Sequence, residues 1–176
     1  MATPRLIDAT RLGTLEPDEL AVALRPLWED AGPLATCLAG HEVSTWNEHL
    51  DLAEAAIASM DDTTRELLLT AHPRIGADPS RLSALSYREQ GGGSPAEPAI
   101  LERLETLNKA YEERFGFPFV EWLAGRAKSE ILTVLETRLT RSKGDEREAG
   151  CRALVAIARD RYDKLSRETR VPGEAR

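Results

Sequence analysis

Residues 146–167 have the sequence EREAGCRALVAIARDRYDKLSR, in which apolar side chains recur at intervals of three and four. An α-helix turns once every 3.6 residues, so this spacing places the apolar side chains on one face. We therefore predict a helix over residues 146–167, broken from the preceding helix and capped by Gly144-Asp145. The predicted apolar face consists of Cys151, Leu154, Val155, Ala158, Tyr162 and Leu165.

Helix-starting signals recur along the rest of the chain. Pro17 opens an acidic first turn, residues 45–48 form a capping box, and Asp61 and Asp62 can cap the next helix. A second capping box at residues 94–97 begins a helix that glycine closes at position 116, and another helix is predicted from about Lys128 to Arg141.

No segment alternates between apolar and polar residues for long enough to indicate a strand. We therefore predict an all-α fold with about seven to nine helices, in a single compact domain over residues 1–176. The segment 169–176 is expected to be a frayed tail.

The composition agrees with helices packed on helices, because aromatic residues make up only 5% of the chain and Leu and Ala dominate the apolar residues. A net charge of −7 without a basic stripe argues against nucleic acid as a partner. No apolar run approaches the roughly 20 residues of a membrane span, and no targeting signal is recognisable at either end. We expect a cytoplasmic protein that contacts neither membrane nor nucleic acid.

The cysteines and histidines give no sign of a metal site. Cys37 and Cys151 both lie among apolar residues, so we expect them to be small core residues. The three histidines show no spacing typical of metal ligands. We predict that the protein holds no metal.

The most loop-like stretch runs from Arg74 to Gly93 and is rich in Gly, Ser, Pro and Arg. Long loops of this kind within compact domains are usually functional or disordered. His72-Pro73 lies at one end and Ser86 to Gln90 at the other. Because proline disfavours the α conformation in the residue before it, His72 should lie at the C-terminal edge of a helix. Its spacing alone is compatible with a helix cap or with a catalytic group.

Two polar residues interrupt apolar helix faces. Arg161 borders the apolar face of the last helix, either snorkelling at its edge or directing its guanidinium into a pocket. Asn108 lies on the face that contains Leu104, Tyr111 and Phe115, where a buried polar network or a ligand contact would explain it equally well.

Four sequence elements, in this order, resemble the 2-oxo-4-hydroxy-4-carboxy-5-ureidoimidazoline (OHCU) decarboxylases. The resemblance covers residues from about Glu66 to Leu165. The elements are Ala71-His72-Pro73-Arg74-Ile75-Gly76, then Ser86-x-x-Glu89-Gln90, then Leu107-Asn108-x-x-Tyr111-x-x-Arg114-Phe115-Gly116-Phe117-Pro118-Phe119-Val120, and finally Ile157-Ala158-x-x-Arg161.

The resemblance implies an all-α homodimeric carboxy-lyase that needs no cofactor and produces (S)-allantoin in urate degradation. It implies that His72 and Glu89 are the catalytic pair, and that the backbone around residues 117–120 lines the pocket. The substrate-binding residues that it implies are Pro73, Ser86, Gln90, Phe119, Val120 and Arg161.

This chemistry suits these residue types. The substrate carries its carboxylate beside a C=N bond that can accept the electron pair, so no external electron sink is needed. Histidine has an unperturbed pKa near 6.5 and can handle the proton, and a glutamate beside it can fix its tautomer or accept a proton. Arg161 and Gln90 would hold either the amide edges or the carboxylate. Two alternatives remain open: a non-catalytic helical module that binds a small anion, and a hydrolase acting on a related ureide.

Overall fold

The structure is a computed structural model, and it describes residues 4–77, 82–90 and 98–169. These residues contain eight α-helices, one 3-10 helix and no strand, so the predicted all-α class is confirmed. The described residues divide into two compact units. Unit 1 draws on residues 1–59 and 155–176, and unit 2 on residues 60–154. That residues 1–176 form one domain stays a prediction.

Unit 1 begins with a short 3-10 helix that the sequence analysis did not predict. Asp8 caps it, since the Asp8 side chain accepts a hydrogen bond from the Thr10 N–H at 3.0 Å. Pro17 starts the next helix, as predicted, and the Glu19 carboxylate accepts a hydrogen bond from the Glu16 N–H. The elements of unit 1 are the 3-10 helix Ala9–Thr14, α1 (Pro17–Trp28), α2 (Gly32–Leu38), α3 (Trp46–Ser59) and the C-terminal part of α8 (Lys143–Thr169).

Unit 2 contains the helices that follow the predicted caps and glycine stops. Asp61 accepts a hydrogen bond from the Thr64 N–H at 3.0 Å, and Gly116 ends the long helix with a φ of +85°. The predicted capping box at residues 94–97 lies outside the described residues. The elements of unit 2 are α4 (Asp62–Thr70), α5 (Ala84–Glu89), α6 (Pro98–Phe115), α7 (Lys128–Arg138) and the N-terminal part of α8.

The start of α8 differs from the prediction. The helix begins at Lys143 and runs through Gly144-Asp145, so the predicted break is wrong. Ser142 supplies the cap instead, because its Oγ accepts a hydrogen bond from the Asp145 N–H at 3.1 Å. A serine cap makes the helix start earlier than the glycine would suggest.

The loop predicted from Arg74 to Gly93 contains a helix. Ser83 caps α5, and its Oγ accepts a hydrogen bond from the Ser86 N–H at 3.1 Å. With only six residues, α5 is too short to show an apolar periodicity in the sequence.

An aromatic cluster fills the core of unit 2 beside a buried carboxylate. The cluster consists of Tyr111, Phe115, Phe117 and Phe119, whose ring centroids lie 4.6–6.3 Å apart in the recorded pairs. Glu146, in the first turn of α8, is fully buried and accepts a hydrogen bond from the Tyr111 hydroxyl at 2.7 Å. The guanidinium of Arg138 donates to the same oxygen of Glu146.

The prediction that both cysteines are buried is half wrong. Cys151 is buried, whereas Cys37 is exposed near the C-terminal end of α2. As to membranes, no helix within the described residues combines the length and the apolar character that crossing a bilayer requires.

Candidate active site

His72 lies two residues after Thr70, the last residue of α4. Its N–H donates to the Leu69 carbonyl at 3.1 Å, and Pro73 then turns the chain away, as the sequence predicted. The half-buried His72 ring places Nδ1 3.2 Å from the Pro73 carbonyl oxygen. A carbonyl can only accept, so this contact favours the tautomer with hydrogen on Nδ1. In that tautomer, Nε2 is the ring nitrogen that can take up a proton.

The Gln90 side chain ties α5 to the turn that follows His72. Its Oε1 accepts a hydrogen bond from the Gly76 N–H at 2.8 Å, and its Nε2 donates to the Arg74 carbonyl at 3.0 Å. Gly76 has a φ of +83°, a conformation that favours glycine. The structure thus brings together two of the sequence elements that were singled out, the one containing His72 and the one ending at Gln90.

Ser86 and Glu89 both lie on α5, one turn apart. Ser86 is buried and Glu89, the last residue of the helix, is half-buried. Because Gln90 follows Glu89 directly, its hydrogen bonds hold the end of α5 beside the turn at residues 74–76. The predicted contact between His72 and Glu89 stays a prediction.

A cavity of about 810 Å³ lies against the His72 turn in unit 2. His72 and Pro73 line it, and three carboxylates of α6 line it as well, namely Glu102, Glu105 and Glu112. Arg74, which also lines the cavity, forms an ion pair with Glu112, so it is Glu102 and Glu105 that give this wall a net negative charge. On this side of the cavity, N–H groups of a ligand would find carboxylate acceptors, and a ligand carboxylate would have to face away from it.

Asn108 also lines this cavity and is buried. Its Nδ2 donates to the Ile75 carbonyl at 2.9 Å, so the amide holds the turn after His72 in place. This buried hydrogen bond from Nδ2 confirms the interpretation of Asn108 as part of a buried polar network.

Phe119 and Val120 are buried. Of the described residues 117–120, Pro118 is the one that lines the cavity. The Phe119 ring packs against Tyr111 at 5.3 Å and beneath the Arg138 guanidinium at 5.2 Å. The Phe119 side chain therefore belongs to the aromatic core of unit 2. Whether the backbone at these positions contacts substrate stays a prediction.

Arg161 lies in unit 1, whereas the other predicted site residues lie in unit 2. Its side chain is only 1% exposed, so the interpretation of a snorkelling surface arginine is wrong. Its Nη2 lies 2.9 Å from Glu29 Oε1, and its Nη1 donates to the Leu27 carbonyl at 3.3 Å. The sequence analysis did not identify Glu29, because an acidic residue just after a helix is usually on the surface.

No group of three or more metal-ligating side chains occurs within residues 4–77, 82–90 and 98–169. The site places His72 at the start of a turn that the side chains of Gln90 and Asn108 hold by hydrogen bonds. Beside this turn lies a cavity that carboxylates of α6 also line. Imidazole and carboxylate groups of this kind can exchange protons with a ligand.

Comparison with known proteins agrees with the four sequence elements. The family model described as OHCU decarboxylase matches residues 13–163, which is most of the chain. The chain therefore belongs to the OHCU decarboxylase family.

Two relatives carry the name 2-oxo-4-hydroxy-4-carboxy-5-ureidoimidazoline decarboxylase. The one from Halalkalicoccus jeotgali is 29% identical over 132 residues, which cover 69% of this chain and 74% of the relative. The one from Amia calva is 30% identical over 121 residues, covering 64% and 69% respectively. A uric acid degradation bifunctional protein of Bacillus subtilis is 33% identical over 114 residues, but this match spans only 23% of that longer protein.

Solved structures share the fold. One, described as a crystal structure of OHCU decarboxylase in the presence of (S)-allantoin, aligns with a TM-score of 0.65 at 23% identity, covering 77% of this chain and 92% of that chain. Another, described as a crystal structure of (S)-allantoin synthase, aligns with a TM-score of 0.65 at 21% identity. The second alignment covers 90% of this chain and about half of the other, 54%.

Proposed function

We propose that this protein decarboxylates OHCU to (S)-allantoin in urate degradation, as a carboxy-lyase that requires no cofactor. Membership of the OHCU decarboxylase family supports the reaction class. The observation that carries the proposal is the turn at His72-Pro73, which lies inside the matched region and is anchored by both polar atoms of the Gln90 side chain.

The reaction needs one bond cleavage and a net uptake of one proton. The bond between the ring carbon and the carboxylate breaks, CO₂ leaves, and the electron pair moves into the adjacent C=N bond, whose nitrogen takes up a proton. The hydroxyl of the resulting enol then gives up its proton as a carbonyl forms, and a proton is delivered to the adjacent ring carbon from one face, which sets the S configuration. Fixed orientation of the carboxylate out of the ring plane lowers the barrier by avoiding an entropic cost at the reaction step.

We assign the proton handling to His72, with Glu89 as its partner. The Nδ1 contact to the Pro73 carbonyl supports a defined tautomer, in which Nε2 exchanges the proton at the substrate hydroxyl. Glu89 would favour the protonated form of the ring or take up a proton itself.

For substrate binding we propose Pro73, Ser86, Gln90, Arg161 and the backbone at Phe119 and Val120. The recorded hydrogen bonds of Gln90 use one donor and one lone pair of its amide, and an amide has a second of each. Gln90 can therefore orient the turn and bind the substrate at once. Arg161 has the planar fork that recognises a carboxylate or an amide edge.

We also propose that the protein acts in the cytoplasm as a homodimer. The homodimer follows from the resemblance to the family, and gel filtration with light scattering tests it. A monomer at micromolar concentration would contradict it.

The experiment is an assay with freshly generated OHCU, which also decomposes without enzyme. We expect CO₂ release and the optical rotation of (S)-allantoin to appear faster than the spontaneous rate. The variant His72→Asn, checked for folding by circular dichroism, is the matched control and should return to that rate. Ammonia or ring opening without CO₂ would indicate a ureide hydrolase, and binding without turnover would indicate a non-catalytic module.

A further inference from the structure

Two hydrogen-bond acceptors of α6 lie one helical turn apart beside the cavity that His72 lines. Asn108 and Glu112 both line this cavity, and both belong to unit 2. Residues four apart in an α-helix share a face, so the two side chains are neighbours. Each has one buried oxygen that accepts no hydrogen bond within residues 4–77, 82–90 and 98–169, namely Asn108 Oδ1 and Glu112 Oε1.

The other end of the Asn108 amide fixes its orientation. Nδ2 donates to the Ile75 carbonyl at 2.9 Å, and a carbonyl oxygen can only accept, so the nitrogen is the end that faces Ile75. Oδ1 is then an acceptor on a side chain that belongs to a residue only 3% exposed. A buried acceptor without a donor is destabilising, and native structures satisfy most such groups. A donor from a ligand in the cavity would satisfy this one.

The two oxygens of the Glu112 carboxylate differ in their surroundings. Oε2 accepts a hydrogen bond from Arg74 Nη2, and this ion pair restrains the carboxylate. Oε1 is buried and has capacity for a donor of its own. Because an ionised carboxylate only accepts, the ligand group that completes this position must carry an N–H or O–H.

Two neighbouring acceptors match a ligand group that has several N–H bonds and no negative charge. A ureido group, which joins an NH and an NH₂ through one carbonyl, is such a group. The rest of the wall favours the same chemistry, because Glu102 and Glu105 add acceptors and disfavour a ligand carboxylate on this side. A ligand held by this wall occupies the cavity that His72 also lines.

We propose that Asn108 and Glu112 bind the ureido group of the substrate by accepting its N–H groups at Oδ1 and Oε1. They thereby determine which way round the substrate lies, with its ureido group against α6 and its carboxylate away from it. This inference rests on the proposed function, which supplies a ureide substrate, and adds two residues to the substrate-binding set. It gives Asn108 both roles that the sequence left open, a polar network at Nδ2 and a ligand contact at Oδ1.

The test compares, by isothermal titration calorimetry, two probes that differ in the ureido group. (S)-Allantoin carries this group on a hydantoin ring, and hydantoin is the same ring without it. The wild type should bind allantoin about tenfold more tightly or better. Because the probes share the ring, the ratio of their affinities isolates the contribution of the ureido group.

Asn108→Ala removes Oδ1 and should lower this ratio about fivefold to tenfold. It also removes the hydrogen bond to Ile75, but a loosened turn weakens the binding of both probes and cancels in the ratio. Glu112→Leu removes Oε1 and should lower the ratio to a similar extent. This second variant also serves if Asn108→Ala does not fold.

Arg74→Leu is the matched control for Glu112→Leu. It breaks the same ion pair but leaves the carboxylate in place, so the ratio should stay at the wild-type value or rise. A ratio that falls as far in Arg74→Leu as in Glu112→Leu would overturn the inference, because loss of the ion pair would then be the cause.

Equal affinity of the wild type for both probes would also overturn it, as would an unchanged ratio in Asn108→Ala or in Glu112→Leu. An unchanged ratio is the result expected if solvent, not ligand, satisfies these oxygens. The decarboxylation assay on the same wild-type preparation separates this failure from a failure of the proposed function. Turnover by the wild type with an unchanged ratio in the variants contradicts only the inference. A wild type that neither releases CO₂ nor binds allantoin contradicts both.

Discussion

The Oε1 atom of Gln90 accepts a hydrogen bond from the Gly76 N–H at 2.8 Å, across 14 residues of sequence. Together with the bond from Nε2 to the Arg74 carbonyl, this contact joins α5 to the turn that begins at His72. A single amide side chain thus sets the geometry of two predicted site elements.

Gln90→Leu removes both hydrogen bonds. Since each is worth about 0.5–1.5 kcal/mol, we expect the free energy of unfolding to fall by about 1–3 kcal/mol. We expect kcat/KM to fall roughly tenfold, because the His72 turn loses its support. Ser59→Ala, which removes a peripheral hydrogen bond to Ala56, should leave kcat/KM unchanged. Wild-type kinetics in Gln90→Leu would show that the turn holds without it.

His72→Asn should lower kcat by roughly 100-fold or more, because it removes the group that exchanges protons with the substrate. The melting temperature should hardly change, since His72 lies half-buried at a turn after α4. His41→Asn, at an exposed histidine, is the control. If His72→Asn lowered the melting temperature while kcat stayed near wild type, His72 would be a structural cap.

Arg161→Lys keeps the charge but loses the planar fork, so KM should rise more than kcat falls. Arg161→Ala should act in the same direction more strongly and should also destabilise the fold, because it leaves the Glu29 carboxylate without its guanidinium. Arg159→Lys, at a surface ion pair, is the control for steady-state kinetics. Unaltered kinetics in Arg161→Lys would leave Arg161 with a structural role alone.

His49 should make the stability of the protein depend on pH. Burial lowers the pKa of His49 to about 4, below the ordinary 6.5. The unfolded chain therefore binds a proton between pH 6.5 and 4 that the folded chain does not, so stability present above pH 6.5 is lost as the pH falls towards 4. The full loss is about 3 kcal/mol, at 1.36 kcal/mol per pKa unit.

Urea unfolding at pH 7 and pH 4.5 measures this effect. His49→Phe keeps a ring for the contact with Trp46, whose centroid lies 5.5 Å away, and should flatten the pH dependence. His41→Gln should not flatten it. A wild-type slope in His49→Phe would assign the effect to other groups.

The two thiols should differ in reactivity. Burial raises the pKa of Cys151 to about 11, so almost no thiolate exists at pH 8, whereas Cys37 is exposed. We expect iodoacetamide to add one label in the native state, none in Cys37→Ser, and to leave decarboxylation intact. Mass spectrometry counts the labels, and two labels in the native protein would contradict the burial of Cys151.

The helices could be predicted where one residue decides a helix end. Asp61, Pro17 and Gly116 each act through local backbone chemistry, and each begins or ends a helix as predicted. Gly144 misled the prediction because the Ser142 side chain caps α8 two residues earlier. Helix α5 has only six residues, too few for a periodic spacing of apolar residues to be recognised in the sequence.

The buried charges could not be predicted in the same way. Arg161 was noticeable because it borders an apolar helix face, but its partner Glu29 follows a different helix, distant in sequence. Glu146 likewise looks like an acidic residue in a solvated first helical turn, and only the tertiary structure shows it enclosed. Such pairs depend on long-range packing, which local patterns do not contain.

The Glu146 carboxylate accepts hydrogen bonds from both Tyr111 and Arg138, so substitutions at these three positions are not independent of one another. Replacing the glutamate alone leaves a phenol and a guanidinium in the interior without their shared acceptor, which is more costly than exchanging all three for apolar side chains of similar volume. Substitutions at these positions are therefore expected to be inherited together, and an isolated change at one of them should select for compensating changes at the other two.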